Sequence, residues 1–257
     1  MGFWENAEAA YTQLRELGQE IPFHQEMIHD FYQSFVEGQR YLLYLDGIVV
    51  TIQLTILALL LGTALGIIIA VIRTAHDQQR QRKNLVLGIL NGICKVYITV
   101  IRGTPAMVQL LIAYLVIFAN SRNTFGIAVL VFGINSGAYV AEIIRGGIMS
   151  VDRGQMEAGR SLGMKYAPVM RHIIIPQAIK NILPALGNEL ITLLKETSIV
   201  TVIGLVDLTK TAMQIQSKTY QGMFPLCGVA LVYLLMVMLL TWGQGKLERR
   251  LAASDRR

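Results

Sequence analysis

The sequence predicts an all-α polytopic membrane protein with about five transmembrane helices, and three observations carry that prediction. Of the 257 residues, 53% are hydrophobic and only 16% charged, against about 25% charged in an ordinary soluble domain. The mean hydropathy is +0.48. Several apolar runs approach or exceed the ~18 residues that mark a transmembrane helix. Such a chain hides its apolar surface in lipid rather than in one large core.

The elements follow in order. The first 40 residues lack the basic start and apolar centre of a signal peptide, so no cleaved presequence is expected. They contain AEAAYTQLRELGQ, read as a short amphipathic helix, then Pro22 and a polar-aromatic stretch. Residues 1–40 are expected to form an extracytoplasmic or interfacial extension, lying on the outer membrane surface or docking an external partner. The first span covers about 42–72 and includes LTILALLLGTALGIIIAVI; its length allows tilt or an interfacial start. NLVLGILNGICKVYITVIR, 84–102, carries interior Asn91 and Lys95 and is read as an interfacial helix. RGTP, 102–105, then marks a membrane entry, with Thr104 able to cap and Pro105 suited to the first turn. The second and third spans run about 104–119 and 125–149, the fourth about 178–203 and the fifth about 223–242. GTALG (62–66) and GINSG (133–137) are GxxxG patterns that let helix backbones approach closely.

The basic residues set the orientation. Regions 73–102, 145–180 and 246–257 hold 17 of the 23 lysines and arginines, and five spans place all three on one side. Eight acidic residues precede residue 47, with only Arg15 and Arg40 among them. The N-terminus is therefore expected outside and the C-terminus inside, ending in a cytoplasmic tail at 251–257. The net charge of +6 is a topology signal, not a nucleic-acid patch. Cys94 and Cys227 lie in apolar surroundings and make no disulfide framework.

Nothing in the chain argues for chemistry of its own. GLVDLTKT, 204–211, has the outline of a phosphate loop, but Thr209 stands where glycine must precede the lysine. There is no HExxH or CxxC pattern. No catalytic residue, metal site or cofactor is assigned to this chain.

Charges inside the fourth span point to transport. Glu189, Lys195 and Glu196 lie in an otherwise apolar run, and each costs about 2.5–3.5 kcal/mol at mid-bilayer on insertion scales. With Asn188 and Thr192 they fall broadly on one side of the helix. Glu189 and Lys195, six apart, cannot form the usual i,i+4 pair, so their partners lie on another helix or a ligand. Pro184 and Gly187 could interrupt the helix beside them, as in many transport sites. A stripe bearing both signs suits a zwitterion, with glutamate meeting an ammonium and lysine a carboxylate. Interhelical pairing with Glu142 or Arg145 is the structural alternative, although these two are three apart and are expected to pair with each other.

MEAGRSLGMKYAPVMRHIIIP, 156–176, resembles neither flanking run. Asp152 and Gln155 have capping-box spacing, and Gly163 is placed to end the helix. Gly159 and Gly163 share a face, a notch that another protein surface can approach. Tyr166, Ala167 and Pro168 open a second short helix ending near Pro176. An ordinary connection takes about 2–8 residues, so this longer one argues for a partner.

EAGRSLG, then nine residues, then IIIP, resembles the EAA loop of ABC importer permeases. With RGTP (102–105), GAYVAEIIRGGI (137–148) and LLKETSIVTVIGLVDL (193–208), the pattern resembles the polar amino-acid permease family over roughly residues 40–250. The resemblance implies that 41–250 form an importer transmembrane domain in a bacterial inner membrane, with 152–176 as a cytoplasmic coupling loop. Glu157, Ala158, Gly159 and Gly163 would engage a separate ATPase. It further implies two ATPase subunits that bind ATP and magnesium, a second permease subunit, an external substrate-binding protein and an amino-acid substrate. Glu189, Lys195 and Glu196 match positions that contact the amino acid in some relatives, with Asn188 and Thr192 beside them. The Glu189 charge favours a basic or polar amino acid. Three departures stand: Gly159 replaces the usual alanine, Ile175 the usual leucine, and the acidic N-terminal extension exceeds the family's short start. The alternative is a self-contained carrier or channel for small zwitterions, which leaves the inner loop idle.

Overall fold

A computed structural model of the chain describes residues 2–77 and 84–253, the last two by backbone alone. Arg80, Arg82, Lys83, Arg256 and Arg257, used above for orientation, and most of the tail 251–257 lie outside the described residues. Among the described residues every element is helical.

Two short helices open the chain, α1 (Phe3–Glu16) and α2 (Phe23–Phe31). Pro22 stands as the N-cap of α2, where its missing N–H leaves nothing unpaired. Trp4 of α1 stacks on Phe31 of α2 with ring centroids 5.8 Å apart. Tyr11 stacks on His29, whose Nδ1 lies 2.8 Å from the Glu8 carboxylate. The result is a helical hairpin. A wide turn at Tyr32–Val36 and a tight one at Glu37–Gln39 then lead into the first long helix.

That helix, α3 (Arg40–Asp77), has 38 residues. At ~1.5 Å per residue it reaches about 57 Å, well beyond a ~30 Å hydrocarbon core. Its buried positions include Gly47, Thr51, Leu54, Ala58, Gly62, Gly66 and Ala70. They form a small-residue stripe at helical spacing. After α3 come α4 (Leu85–Gly103) and the short α5 (Ala106–Ile112), and then α6 (Thr124–Met149), which runs parallel to α3, since Gly62 meets Ser136 and Gly66 meets Val140. The α3 stripe packs on α6: a Cβ at Gly66 would sit 2.6 Å from Val140 Cγ1, and one at Gly133 would sit 2.5 Å from Leu61 Cδ2. The two GxxxG patterns thus serve one interface. Leu54, Ala58, Leu110, Phe132, Leu193 and Val200 fill the main core above it.

Two expectations change in this region. The segment read as interfacial, 84–102, is a helix long and apolar enough to cross a membrane. Asn91, one of the two residues behind the interfacial reading, turns inward and lies 3.2 Å from His76 Nδ1; only Lys95 stays exposed. The expected second span, 104–119, is a 12-residue helical stretch, Ala106–Ile117, which continues α4 past a break at Thr104. Thr104 does not cap it. Its hydroxyl donates back to the Val100 carbonyl, and Pro105 takes the N-cap position. Gln109 bridges the break, donating to the Ile101 carbonyl at 2.8 Å and accepting from Asn135 of α6 at 3.0 Å.

After α6 come α7 (Arg153–Ser161) and α8 (Tyr166–Val169), then α9 (Ile175–Glu196), α10 (Leu208–Thr219) and α11 (Met223–Ala253). Among the described residues four stretches are long and apolar enough to cross a membrane: Phe23–Asp77, Leu85–Gly103, Thr124–Met149 and Met223–Leu251. With 22 residues, α9 has the length, but Lys180, Glu189, Lys195 and Glu196 take it out of the apolar class. The amphipathic α10 docks on α3 where Gly47 leaves room, since a Cβ there would meet Leu208 Cα at 2.8 Å.

Candidate functional site: an intramembrane polar helix and the loop that precedes it

The polar stripe of α9 straddles the edge of the packed body. Glu189 and Glu196 are half-buried, while Asn181, Asn188, Thr192 and Lys195 are exposed. Among the described residues Glu189 makes no salt bridge. The fully buried Ser136 of α6 donates its hydroxyl to Glu189 Oε1 at 2.8 Å. Ser136 sits against Gly62, whose missing side chain brings α3 within reach. Asn188 faces the other way and accepts from Gln244 of α11 at 3.0 Å. Lys195 and Glu196 likewise make none among the described residues.

The helix is not interrupted at Pro184 and Gly187. It runs unbroken to Glu196, then tightens through Thr197–Ile203 and ends at Gly204, whose φ is +78°. Proline removes one helical N–H, and neighbouring groups in membrane helices take up what it frees. The N–H missing at Pro184 would have served the carbonyl of residue 180, one turn earlier; on the Pro184 carbonyl itself Gln244 Nε2 of α11 donates at 3.2 Å and ties the two helices together. Gly187 makes that approach possible, since a Cβ would stand 3.0 Å from the Gln244 amide carbon. The change in helical geometry comes instead beyond Lys195 and Glu196, where the Thr197 and Ser198 hydroxyls donate to the Leu194 and Lys195 carbonyls at 2.7 Å.

Glu142 and Arg145 pair at 3.0 Å, and Arg73 of α3 binds the same carboxylate from across the interface. The pair is thus a three-residue clamp between helices, and Arg73 is the member that spacing could not find. The GLVDLTKT stretch is also structural. Gly204 ends one helix and Asp207, fully buried, caps the next by accepting from the Lys210 N–H at 2.8 Å.

The loop before α9 is built from local signals. Asp152 accepts from the Gly154 N–H at 2.6 Å and starts α7. At the other end Gly163 has φ +83°, a value that glycine adopts without a Cβ penalty. Its N–H bonds to the Arg160 carbonyl and that of Met164 to the Gly159 carbonyl, the paired contacts of a Schellman motif. Glu157 and Ala158 lie on the exposed face.

Gly159 does not. It is buried, and a Cβ there would stand 2.8 Å from Val169 Cγ2 of the same chain. The notch expected to admit a partner is filled by Val169, so the loop is braced internally. The second short helix does not stop near Pro176 either. A wide turn at Met170–Ile174 joins α8 to α9, with Pro176 in the first turn. Leu162 escaped the sequence reading: it caps α7 and is 84% exposed. An apolar residue beside a helix-ending glycine was its only signal.

Comparison with known proteins agrees with this geometry. The family described as binding-protein-dependent transport system inner membrane component matches residues 62–253. The arginine transport system permease protein ArtQ of Bacillus subtilis is 37% identical over 214 residues, which cover 82% of this chain and 93% of that protein. The glutamine transport system permease protein GlnP of Escherichia coli K12 is 34% identical, covering 81% and 93%. A crystal structure of an amino acid ABC transporter with histidines superposes with a TM-score of 0.76 at 45% identity, covering 84% of this chain and 98% of that one. The MetNI methionine ABC transporter shares the fold, with a TM-score of 0.70 at 17% identity.

Proposed function

The chain belongs to the family of inner-membrane components of binding-protein-dependent transport systems, a multi-pass permease subunit of the ABC type, and we propose that it carries a polar or basic amino acid under the control of separate ATPases docked on the loop 152–176. The observation that carries the coupling reading is α7 itself. It is closed at both ends by its own residues, braced on Val169, and turns Glu157, Ala158 and Leu162 outward. A loop serving only as a connection has no need of a rigid, outward apolar residue.

In this reading two ATPase subunits bind ATP and magnesium, and their closure displaces α7. The displacement passes through the helical path 166–196 into the polar stripe. Two permease subunits, identical or homologous, face each other across the exposed side of α9, where Thr192 and Lys195 stand clear. An external binding protein delivers the substrate. Lys195 meets its carboxylate, and Glu189 and Glu196, with Asn188, meet its ammonium or cationic side chain. The relatives named for arginine and glutamine support that substrate class.

In this reading the N-terminus lies outside. Reading α4 and α5 together as the second crossing leaves the parity of five crossings unchanged, so the loop 150–174 and the end of α11 share the inner side.

The test is gentle purification of the chain from native membranes, beside Glu157→Arg. A nucleotide-binding subunit should accompany the wild type and be lost from the variant while the permease stays folded. Normal ATPase coupling in that variant would remove the loop from the mechanism.

A further inference from the structure

We propose that the N-terminal hairpin is a membrane anchor whose aromatic edge sits among lipid acyl chains at the level where α11 enters the bilayer. The observation is a groove lined by Phe3, Trp4, Met27, Ile28, Phe31 and Phe224. At ≈ 220 Å³ it is smaller than the ~300–1,000 Å³ usual for a small-molecule site. Its lining holds no charged side chain.

Position identifies the occupant. Phe224 belongs to the first turn of α11, a helix long and apolar enough to span the membrane and largely exposed along its length. The groove therefore opens at a membrane boundary and continues the lipid-facing surface of α11, where Met223 and Leu226 are also exposed. The hairpin is fixed there, not swinging: Phe31 meets Phe224 edge-on at 5.9 Å, and Phe35 lies against Gly228, where a Cβ would come within 2.6 Å of its ring. Trp4 favours this depth because the indole is amphipathic, and Phe3, Phe31 and Phe224 add purely apolar rings beside it.

The charges sit on the opposite side. Trp4, Ala7, Glu8, Tyr11 and Leu14 of α1 face α2, whereas Glu5, Asn6, Thr12, Gln13 and Glu16 are exposed. Residues 2–39 contain seven acidic residues and one arginine. An apolar edge with a polar, acidic back lies in the interface plane. The acidity also selects the lipid: neutral, zwitterionic headgroups are tolerated and anionic ones repel.

The chain contains two tryptophans, Trp4 and Trp242, which makes the test direct. The full chain carrying Trp242→Phe is reconstituted in phosphatidylcholine nanodiscs, and emission is read with lipids brominated at a shallow or a deep acyl position. Trp4 should be quenched, more strongly by the shallow bromine, and quenching should fall as phosphatidylglycerol replaces phosphatidylcholine. If Trp242→Phe does not fold, the difference between wild type and Trp4→Phe reports the same quantity. Trp4 that is quenched by acrylamide but not by brominated lipid would overturn the proposal. So would protection that arises only when the external binding protein is added, which would make the hairpin a protein-docking element.

Discussion

Leu162 offers the sharpest test of the coupling reading, because its two possible roles differ in magnitude. Leu162→Ala removes three carbons, and burial is worth about 0.8 kcal/mol per carbon, or ~2.4 kcal/mol in full. The side chain is 84% exposed in the isolated chain, so nearly all of that gain is still open to a partner. Truncation should therefore weaken ATPase binding by about 2 kcal/mol, roughly 30-fold in Kd. The stability of the chain itself should hold, since surface substitutions stay within about 0.5 kcal/mol. The assay is titration of the detergent-solubilised permease with purified ATPase subunit, beside a thermal melt. Leu17→Ala, at an exposed position in the N-terminal hairpin, is the matched control. A Kd unchanged within twofold would mean that no partner buries Leu162, and the argument from its exposure would fail.

Two further outcomes follow from the packing. Gly66→Ala and Gly88→Ala both gain about 1 kcal/mol of helix propensity, but only the first meets α6, since nothing lies within 4 Å at Gly88. Gly66→Ala should be the less stable by about 1–3 kcal/mol, the usual scale of overpacking; equal melting temperatures would contradict the close α3–α6 contact. Ser136→Ala should destabilise by roughly 1.5–3 kcal/mol, the scale of a hydrogen bond to a charged group. Combined with Glu189→Gln its effect should be less than additive, and strict additivity in a double-mutant cycle would mean the two side chains do not interact.

Local signals were legible and facing partners were not. Asp152, Gly163 and the two GxxxG patterns act through their own backbone or through the absence of a side chain, so the string states their role. Gly159 is the contrary case: small size announces a close approach but not whether Val169 or another protein makes it. Pro184 looked like a break, but α9 runs through it, and the Gln244 contact that ties this part of α9 to α11 comes from sixty residues away. Asn91 looked like a surface residue because periodicity does not say which face meets His76. Arg73 and Ser136 were invisible as site residues for the same reason, each being completed by a helix distant in sequence. The charged stripe itself was legible, because a charge in an apolar run is conspicuous whatever it touches.

The continuous helical path from Tyr166 to Glu196 has a mechanical consequence. Thirty-one residues at ~1.5 Å each make a lever arm of about 46 Å, so a tilt of about 5° at the loop end moves Lys195 and Glu196 by roughly 4 Å. A stroke of that size is comparable to a side chain's length, enough to exchange one set of neighbours for another. The arm is not uniformly stiff. The wide turn at Met170–Ile174 lies just before Pro176, which lacks the N–H for one helical bond, so the path is expected to bend there first. Stiffening that turn should lengthen the stroke for the same push, and loosening it should let the loop move while the far end stays still.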